Sequence, residues 1–170
     1  MALHELSGTD LSGSGLSATG RPRPQVDPRG PRFGAGITTV VLAVVLVTGA
    51  AWLLAVQALV FAASALLGVQ ASPYGALYRR LVRPRLAPPR ELEDAAPPRF
   101  AQAVGLVFAL LGLAGFAVGS PVLALGATAL ALVAAFLNAA FGYCLGCEMF
   151  LLVRRIPLFS VARNEKEISA

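Results

Sequence analysis

Two long stretches of the chain contain no charged side chain. The first lies between Arg32 and Arg79, and the second lies between Arg99 and Glu148. One helical crossing of a bilayer needs about 20 apolar residues, so each stretch is long enough for two crossings joined by a tight turn. A helix on the surface of a soluble domain carries a charged face, which neither stretch provides. The sequence therefore predicts an all-α membrane protein.

Turn-forming residues divide each stretch into two helices. Thr48-Gly49 divides the first stretch, and Gly119-Ser120-Pro121 divides the second. We therefore predict four transmembrane helices arranged as two hairpins, within a membrane domain of residues 31–158. The predicted helices cover about residues 33–47, 50–70, 100–118 and 122–141, and an amphipathic interfacial segment follows over about residues 144–158.

The regions outside these helices are polar or rich in proline. Residues 1–30 are predicted to form a disordered tail, and Pro28, Gly30 and Pro31 are expected to delay the first helix until about Phe33. The proline-rich central segment is expected to be irregular after a short amphipathic stretch, and residues 159–170 form a second polar tail. The long polar region before the first apolar stretch argues against a cleaved signal peptide.

The basic residues predict how the protein is oriented. All 14 Lys and Arg residues lie in the N-terminal region, the central segment or the C-terminal region, and the two predicted hairpin turns hold none. Under the positive-inside rule, both termini and the central segment are cytoplasmic, so we predict a multi-pass protein of the inner membrane. Because the charges flank apolar helices, the net charge of +5 indicates membrane anchoring and argues against nucleic-acid binding.

Short motifs recur in the two halves of the chain. Pro31-Arg32-Phe33 precedes the first predicted helix, and Pro98-Arg99-Phe100 precedes the third. A second alignment matches Tyr78-Arg79-Arg80-Leu81 with Val153-Arg154-Arg155-Ile156. These motifs predict a parallel repeat of two hairpins, related by an axis along the membrane normal. The identities are few, and chance recurrence of arginine pairs at membrane borders is the alternative.

The segment Gly142–Glu148 contains both cysteines of the chain, Cys144 and Cys147. A Cys-x-x-Cys spacing lets the sulfurs approach each other at the start of a helical turn, where backbone N–H groups stabilise a thiolate. The predicted cytoplasmic position disfavours a structural disulfide. We predict Cys144 as the nucleophile and Cys147 as the resolving thiol. Glu148 is a weaker candidate, either a proton acceptor or a residue that faces water.

Two other interpretations of the cysteines remain open. Beside Gly142 and Gly146, they could be small packing residues where helices approach closely. A zinc site needs four ligands, and the chain offers only the two cysteines, Glu148 and His4, so a metal site would require a dimer. The sequence predicts no cofactor.

Few polar side chains lie within the apolar stretches. We expect Gln57, Gln102 and Asn138 to form hydrogen bonds between helices. Because neither stretch contains an ionisable Asp, Glu, Lys, Arg or His, the sequence argues against a path for protons or ions. Small residues predict close helix packing; these are Gly105, Gly112, Gly115, Gly119, Gly126, Ala127 and Ala131.

The segments Pro97–Gln102, Phe136–Ala139 and Gly142–Glu148 resemble a bacterial membrane family, common in actinobacteria, that is catalogued as domain of unknown function 4395. The resemblance covers about residues 27 to 160, and Gly-Tyr-Cys-x-x-Cys-Glu is its specific part. Members are often encoded beside thioredoxin-like proteins and sulfurtransferases, so the resemblance implies a thiol role for Cys144 and Cys147.

These observations leave three functional hypotheses. The first is a membrane component of a thiol-redox or sulfur-transfer system, with a thioredoxin-like protein or a sulfurtransferase as partner. The second is a non-enzymatic membrane scaffold or small-molecule passage in which the cysteines only pack. The third is a dimeric metal site. The sequence predicts the lipid bilayer as surroundings, but it predicts neither a substrate, nor an oligomeric state, nor whether the protein is an enzyme.

Overall fold

The computed structural model describes residues 24–87 and 92–155, and within these residues the fold is all-α with six α-helices. The helices are α1 (Arg29–Thr48), α2 (Ala51–Leu67), α3 (Pro73–Leu77), α4 (Ala96–Ala117), α5 (Pro121–Phe141) and α6 (Leu145–Arg155). After α3 the chain continues through a π-helical turn, Tyr78–Val82, and a 3₁₀ turn, Arg83–Arg85. Two short strands, β1 (Gln25–Val26) and β2 (Glu93–Asp94), pair antiparallel.

Three of these helices are long and apolar enough to cross a membrane, namely α1, α4 and α5. Helix α2 is equally apolar but has 17 residues. Large apolar side chains cover the outside of the bundle, and Trp52, Leu59 and Leu66 are each at least 70% exposed. Such an extended apolar exterior is compatible with contact to a lipid bilayer and is unusual for a soluble monomer.

Helix α4 lies at the centre of the bundle and packs against α2, α5 and α6, while α1 packs mainly against α5. Glycines allow these close contacts. A Cβ atom on Gly105 would lie 3.0 Å from the Phe61 ring, and one on Gly112 would lie 2.9 Å from Leu54. A Cβ atom on Gly115 would collide with the backbone of α5. The prediction that small residues allow close packing is therefore confirmed for these three glycines.

The first helix begins at Arg29, four residues before the predicted start at Phe33. Asp27 Oδ1 accepts a hydrogen bond from the Arg29 backbone N–H at 3.0 Å, and Pro31 lies in the first turn. Proline is tolerated there because the first N–H groups of a helix have no partner within the helix. The same reason lets α4 begin at Ala96 and include Pro97 and Pro98.

The predicted tail of residues 1–30 therefore extends too far, since residues 24–30 form β1 and the start of α1. Residues 1–23 and the predicted tail of residues 159–170 lie outside the described residues. Helix α2 ends at Leu67, before the predicted limit of residue 70, because Gly68 adopts a φ of 98°. Helix α6 covers residues 145–155 of the predicted interfacial segment, and residues 156–158 lie outside the described residues.

Candidate dithiol site

Cys144 caps the N-terminus of α6. Helix α5 ends at Phe141 and is followed by Gly142, which has a φ of 70°. Helix α6 begins at Leu145, so Cys144 is the residue immediately before it. The backbone N–H of Cys147 donates to Cys144 Sγ at 3.3 Å, and the N–H of Glu148 donates to the Cys144 carbonyl at 3.0 Å. Ser, Thr, Asp or Asn usually accepts this hydrogen bond at a helix N-terminus, and here a sulfur atom does so.

The two thiols differ in acidity because they are hydrogen-bonded to each other. The Cys147 thiol donates to Cys144 Sγ and, with the backbone N–H groups of Cys147 and Gly146, lowers the pKa of Cys144 from 9.0 to about 7, against the opposing effect of burial. The same hydrogen bond and its own burial raise the pKa of Cys147. Cys144 is therefore the thiol of the pair that ionises first. Neither cysteine forms a disulfide.

A polar cleft lies on one side of this pair. Both thiols line the cleft, together with Arg32, Glu93 and Glu148, and its volume is about 480 Å³. Glu148 is exposed, and its negative charge opposes ionisation of Cys144. Both cysteines therefore lie in the wall of one cleft together with charged side chains.

An apolar cavity lies on the other side of Cys144, between the helices. It has a volume of about 280 Å³, and its walls include Phe61, Phe108, Ala134 and Leu130. Cys144 lines this apolar cavity as well as the polar cleft, whereas Cys147 lines only the polar cleft. Cys144 thus lies in the wall of two spaces of different polarity.

The three predicted interhelical hydrogen-bonding residues behave differently. Gln57 is fully buried, donates to Thr38 Oγ1 at 3.4 Å and accepts a hydrogen bond from the Tyr74 hydroxyl at 2.8 Å. The prediction is therefore confirmed for Gln57. The side-chain amides of Gln102 and Asn138 form no hydrogen bond with another described residue. Instead, these two residues line both the polar cleft and the apolar cavity.

A serine occupies the equivalent capping position in the first half of the chain. Ser72 Oγ accepts from the Gly75 N–H at 3.0 Å, and the Ser72 carbonyl accepts from the Ala76 N–H at 2.9 Å. These two hydrogen bonds match those of Cys144 at α6. Sequence reasoning missed this correspondence, although the Ser-x-x-Gly and Cys-x-x-Cys segments both follow the second helix of a hairpin.

Metal ligands are not grouped around the cysteines. Among the described residues, no cluster of three or more His, Cys, Asp or Glu side chains could hold a metal ion. His4 lies outside the described residues. Cys144 and Cys147 would therefore need ligands from elsewhere to complete a zinc site.

Comparison with known proteins identifies the family of the chain. A family described as Domain of unknown function (DUF4395) matches residues 26–155, which include all six described α-helices and both cysteines, and the chain belongs to this family. No curated protein and no solved structure matches the chain.

Proposed function

We propose that this member of the DUF4395 family is a membrane-embedded thiol–disulfide exchange protein, with Cys144 as the nucleophile and Cys147 as the resolving thiol. One observation carries the proposal: the Cys147 thiol and its backbone N–H both interact with Cys144 Sγ. A thiolate is the reactive form of cysteine, and these donors stabilise it at neutral pH. A purely structural packing role needs no such arrangement.

The exchange reaction proceeds in two steps. The Cys144 thiolate attacks a partner disulfide, forms a mixed disulfide and releases one partner thiolate. Cys147 then gives up its proton and attacks Cys144 Sγ, which forms the Cys144–Cys147 disulfide and releases the second partner thiolate. Two electrons have passed from the dithiol to the partner. The reverse reaction follows the same path, so a reduced partner returns the electrons.

A thioredoxin-like protein is the partner class that suits the polar cleft, because both cysteines line it. A sulfurtransferase is the runner-up. A persulfide on Cys144 would lie beside the Cys147 thiol, which would attack it, form a disulfide and release the transferred sulfur as hydrosulfide. The neighbouring thiol therefore favours disulfide exchange over stable sulfur transfer.

Helix α2 is proposed as the fourth transmembrane crossing. It runs antiparallel to α4 along most of its length, with Leu54 beside Gly112 and Phe61 beside Gly105. At the other end, the Arg99 guanidinium donates to the last carbonyls of α2. A helix that follows a membrane-spanning neighbour from end to end lies at the same depth as that neighbour.

The dithiol end of the bundle is proposed to be cytoplasmic. Arg32 lies against Gly142 at the end of α5, and Arg99 lies at the end of α2, so both arginines mark the end that carries Cys144. The turns at the opposite end contain no basic residue. The positive-inside rule then gives a multi-pass inner-membrane protein with both termini in the cytoplasm.

A parallel repeat is supported by contacts that recur in both halves. Phe33 and Tyr78 form a ring pair with centroids 5.8 Å apart, and Phe100 and Phe150 form one with centroids 5.6 Å apart. In these contacts Phe150 takes the place of Tyr78. The alignment from the sequence matched Tyr78 with Val153, which lies three positions after Phe150. The repeat therefore extends from the helices into the amphipathic segments.

The start of each half provides further support for a two-fold axis. Asp27 Oδ1 accepts from the Arg29 N–H at 3.0 Å, and Asp94 Oδ1 accepts from the Ala96 N–H at 2.9 Å. When the Pro-Arg-Phe alignment is extended backwards, it matches Val26 with Glu93. These two residues are register partners in the β1–β2 pair, as expected where a two-fold axis passes between the strands.

Thiol trapping in intact cells tests the proposed function. Cys147→Ser should accumulate a mixed disulfide between Cys144 and a cytoplasmic protein, because the resolving thiol is missing. Cys144→Ser should trap none. The measurement is a non-reducing gel of cells quenched with acid and alkylated.

Two controls separate the remaining hypotheses. Absence of any mixed disulfide in Cys147→Ser, with full biological activity in the double variant, would leave a scaffold or passage in which the cysteines only pack. A bound metal in purified wild-type protein that disappears in both single variants would indicate the dimeric metal site instead.

A further inference from the structure

The apolar cavity beside Cys144 extends to the outer surface of the bundle. Leu130 is 59% exposed and Met149 is 48% exposed, and both line the cavity. In the proposed topology, these exposed residues face lipid or its headgroup region. A lipid-soluble molecule could therefore enter the cavity sideways, without passing through the polar cleft.

The end of the cavity near the thiol differs from the rest. Most of its walls are apolar, but Gln102 and Asn138 lie with Cys144 in the wall that it shares with the polar cleft. Their side-chain amides have no hydrogen-bonding partner among the described residues. An amide NH₂ group donates hydrogen bonds, so this end suits a ligand with carbonyl oxygens. The remainder of the cavity suits an apolar ring or chain.

The corresponding space in the first half is filled. There a residual cavity of about 20 Å³ is lined by Ser72 and Tyr74, and the Tyr74 hydroxyl reaches across to Gln57. The matching position beside Cys144 is Gly146, where no tyrosine side chain is present. Gly146 packs closely against Ala101 of α4, since a Cβ atom on Gly146 would lie 2.6 Å from the Ala101 Cα. The second half therefore combines a cysteine cap with an open cavity, and the first half combines a serine cap with a closed one.

From this combination we infer that the apolar cavity binds a membrane quinone, which oxidises the Cys144–Cys147 dithiol. The inference rests on the proposed thiol exchange and names the oxidant for it. A quinone has an apolar ring and tail, and its two carbonyl oxygens accept hydrogen bonds. The cavity volume of about 280 Å³ lies close to the lower limit of about 300 Å³ for ligand pockets, which suits a single ring system with the first part of its tail.

The redox step balances with groups that are present. The Cys144 thiolate and the Cys147 thiol form one S–S bond and give up two electrons to the quinone ring. The quinone oxygens take up two protons, one from the Cys147 thiol and one from water in the polar cleft, and hydroquinone leaves. A cytoplasmic dithiol then reduces the disulfide through the polar cleft. The sum of both steps transfers two electrons from a cytoplasmic thiol to the membrane quinone.

An acyl lipid is a less suitable ligand for the same cavity. Transfer of an acyl group would require only one nucleophilic thiol, whereas the site holds a second thiol in hydrogen-bonding contact with the first. A quinone uses both thiols, because its reduction needs two electrons.

Quinone reduction by the full-length protein in phospholipid vesicles tests the inference. The reduced protein is freed of reductant and mixed with decylubiquinone, whose fully substituted ring does not alkylate thiols. Absorbance reports quinone reduction, and thiol titration reports dithiol oxidation. We expect one quinone reduced for every two thiols lost, and no reduction by Cys144→Ser or Cys147→Ser.

Two phenylalanine substitutions on α5 locate the binding site. Ala134→Phe fills the cavity and should slow quinone reduction at least about tenfold, which corresponds to about 1.4 kcal/mol. Ala140→Phe introduces the same side chain at an exposed position outside the cavity and should behave like the wild type. Gln102→Leu and Asn138→Leu remove the amide donors and should raise the quinone concentration needed for half-maximal rate.

A parallel reaction with the water-soluble Ellman's reagent separates the two proposals. A protein that reacts with this disulfide through both cysteines but does not reduce the quinone would overturn the quinone inference and leave thiol exchange intact. Failure to react with either would overturn the proposed function. If Ala134→Phe reduces the quinone as fast as the wild type does, the cavity is not the quinone-binding site. If Ala134→Phe loses both reactions through misfolding, Gln102→Leu and Asn138→Leu provide the test. An unchanged quinone concentration for half-maximal rate in both variants would overturn the inference.

Discussion

At the scale of single residues, the hydrogen bond between two thiols makes Cys144 more acidic than Cys147. Cys147 donates both its thiol and its backbone N–H to Cys144, and only the first of these depends on the side chain of residue 147. The contribution of the thiol can therefore be removed while the helix N-terminus is retained. This separation makes the acidity of Cys144 directly testable.

Alkylation of Cys144 should depend on pH with a midpoint near 7 in the wild type. The thiolate is the form that reacts with iodoacetamide, so the rate falls as the pH decreases through the pKa and the thiolate is protonated. Cys147→Ala removes the side-chain donor and should shift the midpoint upwards, towards the ordinary value of 9.0. Cys147→Ser keeps an O–H donor and should therefore shift the midpoint of Cys144 alkylation less than Cys147→Ala does.

Mass spectrometry of the peptide that contains Cys144 measures this rate at each pH. A wild-type midpoint near 9.0, or identical midpoints in the alanine and serine variants, would contradict the thiol–thiol interaction.

The sequence predicted these residues but not their arrangement. The Cys-x-x-Cys spacing alone indicated a dithiol, because two thiols three positions apart can meet at a helix start. The capping role of Cys144 depends on where α6 begins, and that start is set by Gly142, which ends α5. The positions of Gln102 and Asn138 in the walls of the cleft and the cavity depend on which side of each helix lacks a neighbour, which helix periodicity does not reveal.

At the scale of helices, glycine positions determine how closely the elements approach. Gly115 lies against the backbone of Ala124, whereas Gly126, on the neighbouring helix, has no atom within 4 Å of the position that a Cβ would occupy. The two glycines thus provide a matched pair, one in a helix contact and one on an open surface.

Gly115→Ala should destabilise the protein by about 1–3 kcal/mol, because α4 and α5 must separate to accommodate the methyl group. Gly126→Ala should change the stability by less than about 0.5 kcal/mol. Unfolding in a detergent series, followed by circular dichroism, compares the two variants with the wild type. Equal stability of both variants would show that the α4–α5 contact does not require a glycine.

Helix positions could be inferred from the sequence because apolar stretches and turn residues are local signals. The starts of α1 and α4 were misplaced because proline was treated as a barrier, although it is compatible with the first turn of a helix. The pairing of α1 with α5 and of α2 with α4 could not be inferred, because lipid-exposed and buried faces of these helices are both apolar.

At the scale of the whole molecule, the two spaces around Cys144 belong to different environments. The polar cleft lies at the end of the bundle with the arginines, and the apolar cavity lies between the helices. In the proposed mechanism, the dithiol between these spaces exchanges electrons with water-soluble thiols on one side and with a lipid-soluble oxidant on the other. We propose that the end of the bundle with the cysteines faces the cytoplasm.

Labelling of single introduced cysteines tests that orientation in a background with Cys144→Ser and Cys147→Ser. Ser120→Cys lies in the turn between α4 and α5, and Arg80→Cys lies in the exposed π-helical turn near the dithiol end. The proposed topology places the first outside the cytoplasm and the second inside. A membrane-impermeant maleimide should therefore label Ser120→Cys in cells with a permeabilised outer envelope and an intact inner membrane, and should label Arg80→Cys only after lysis. The reverse pattern would place the dithiol outside the cytoplasm, where the exchange partner would have to be an extracytoplasmic protein.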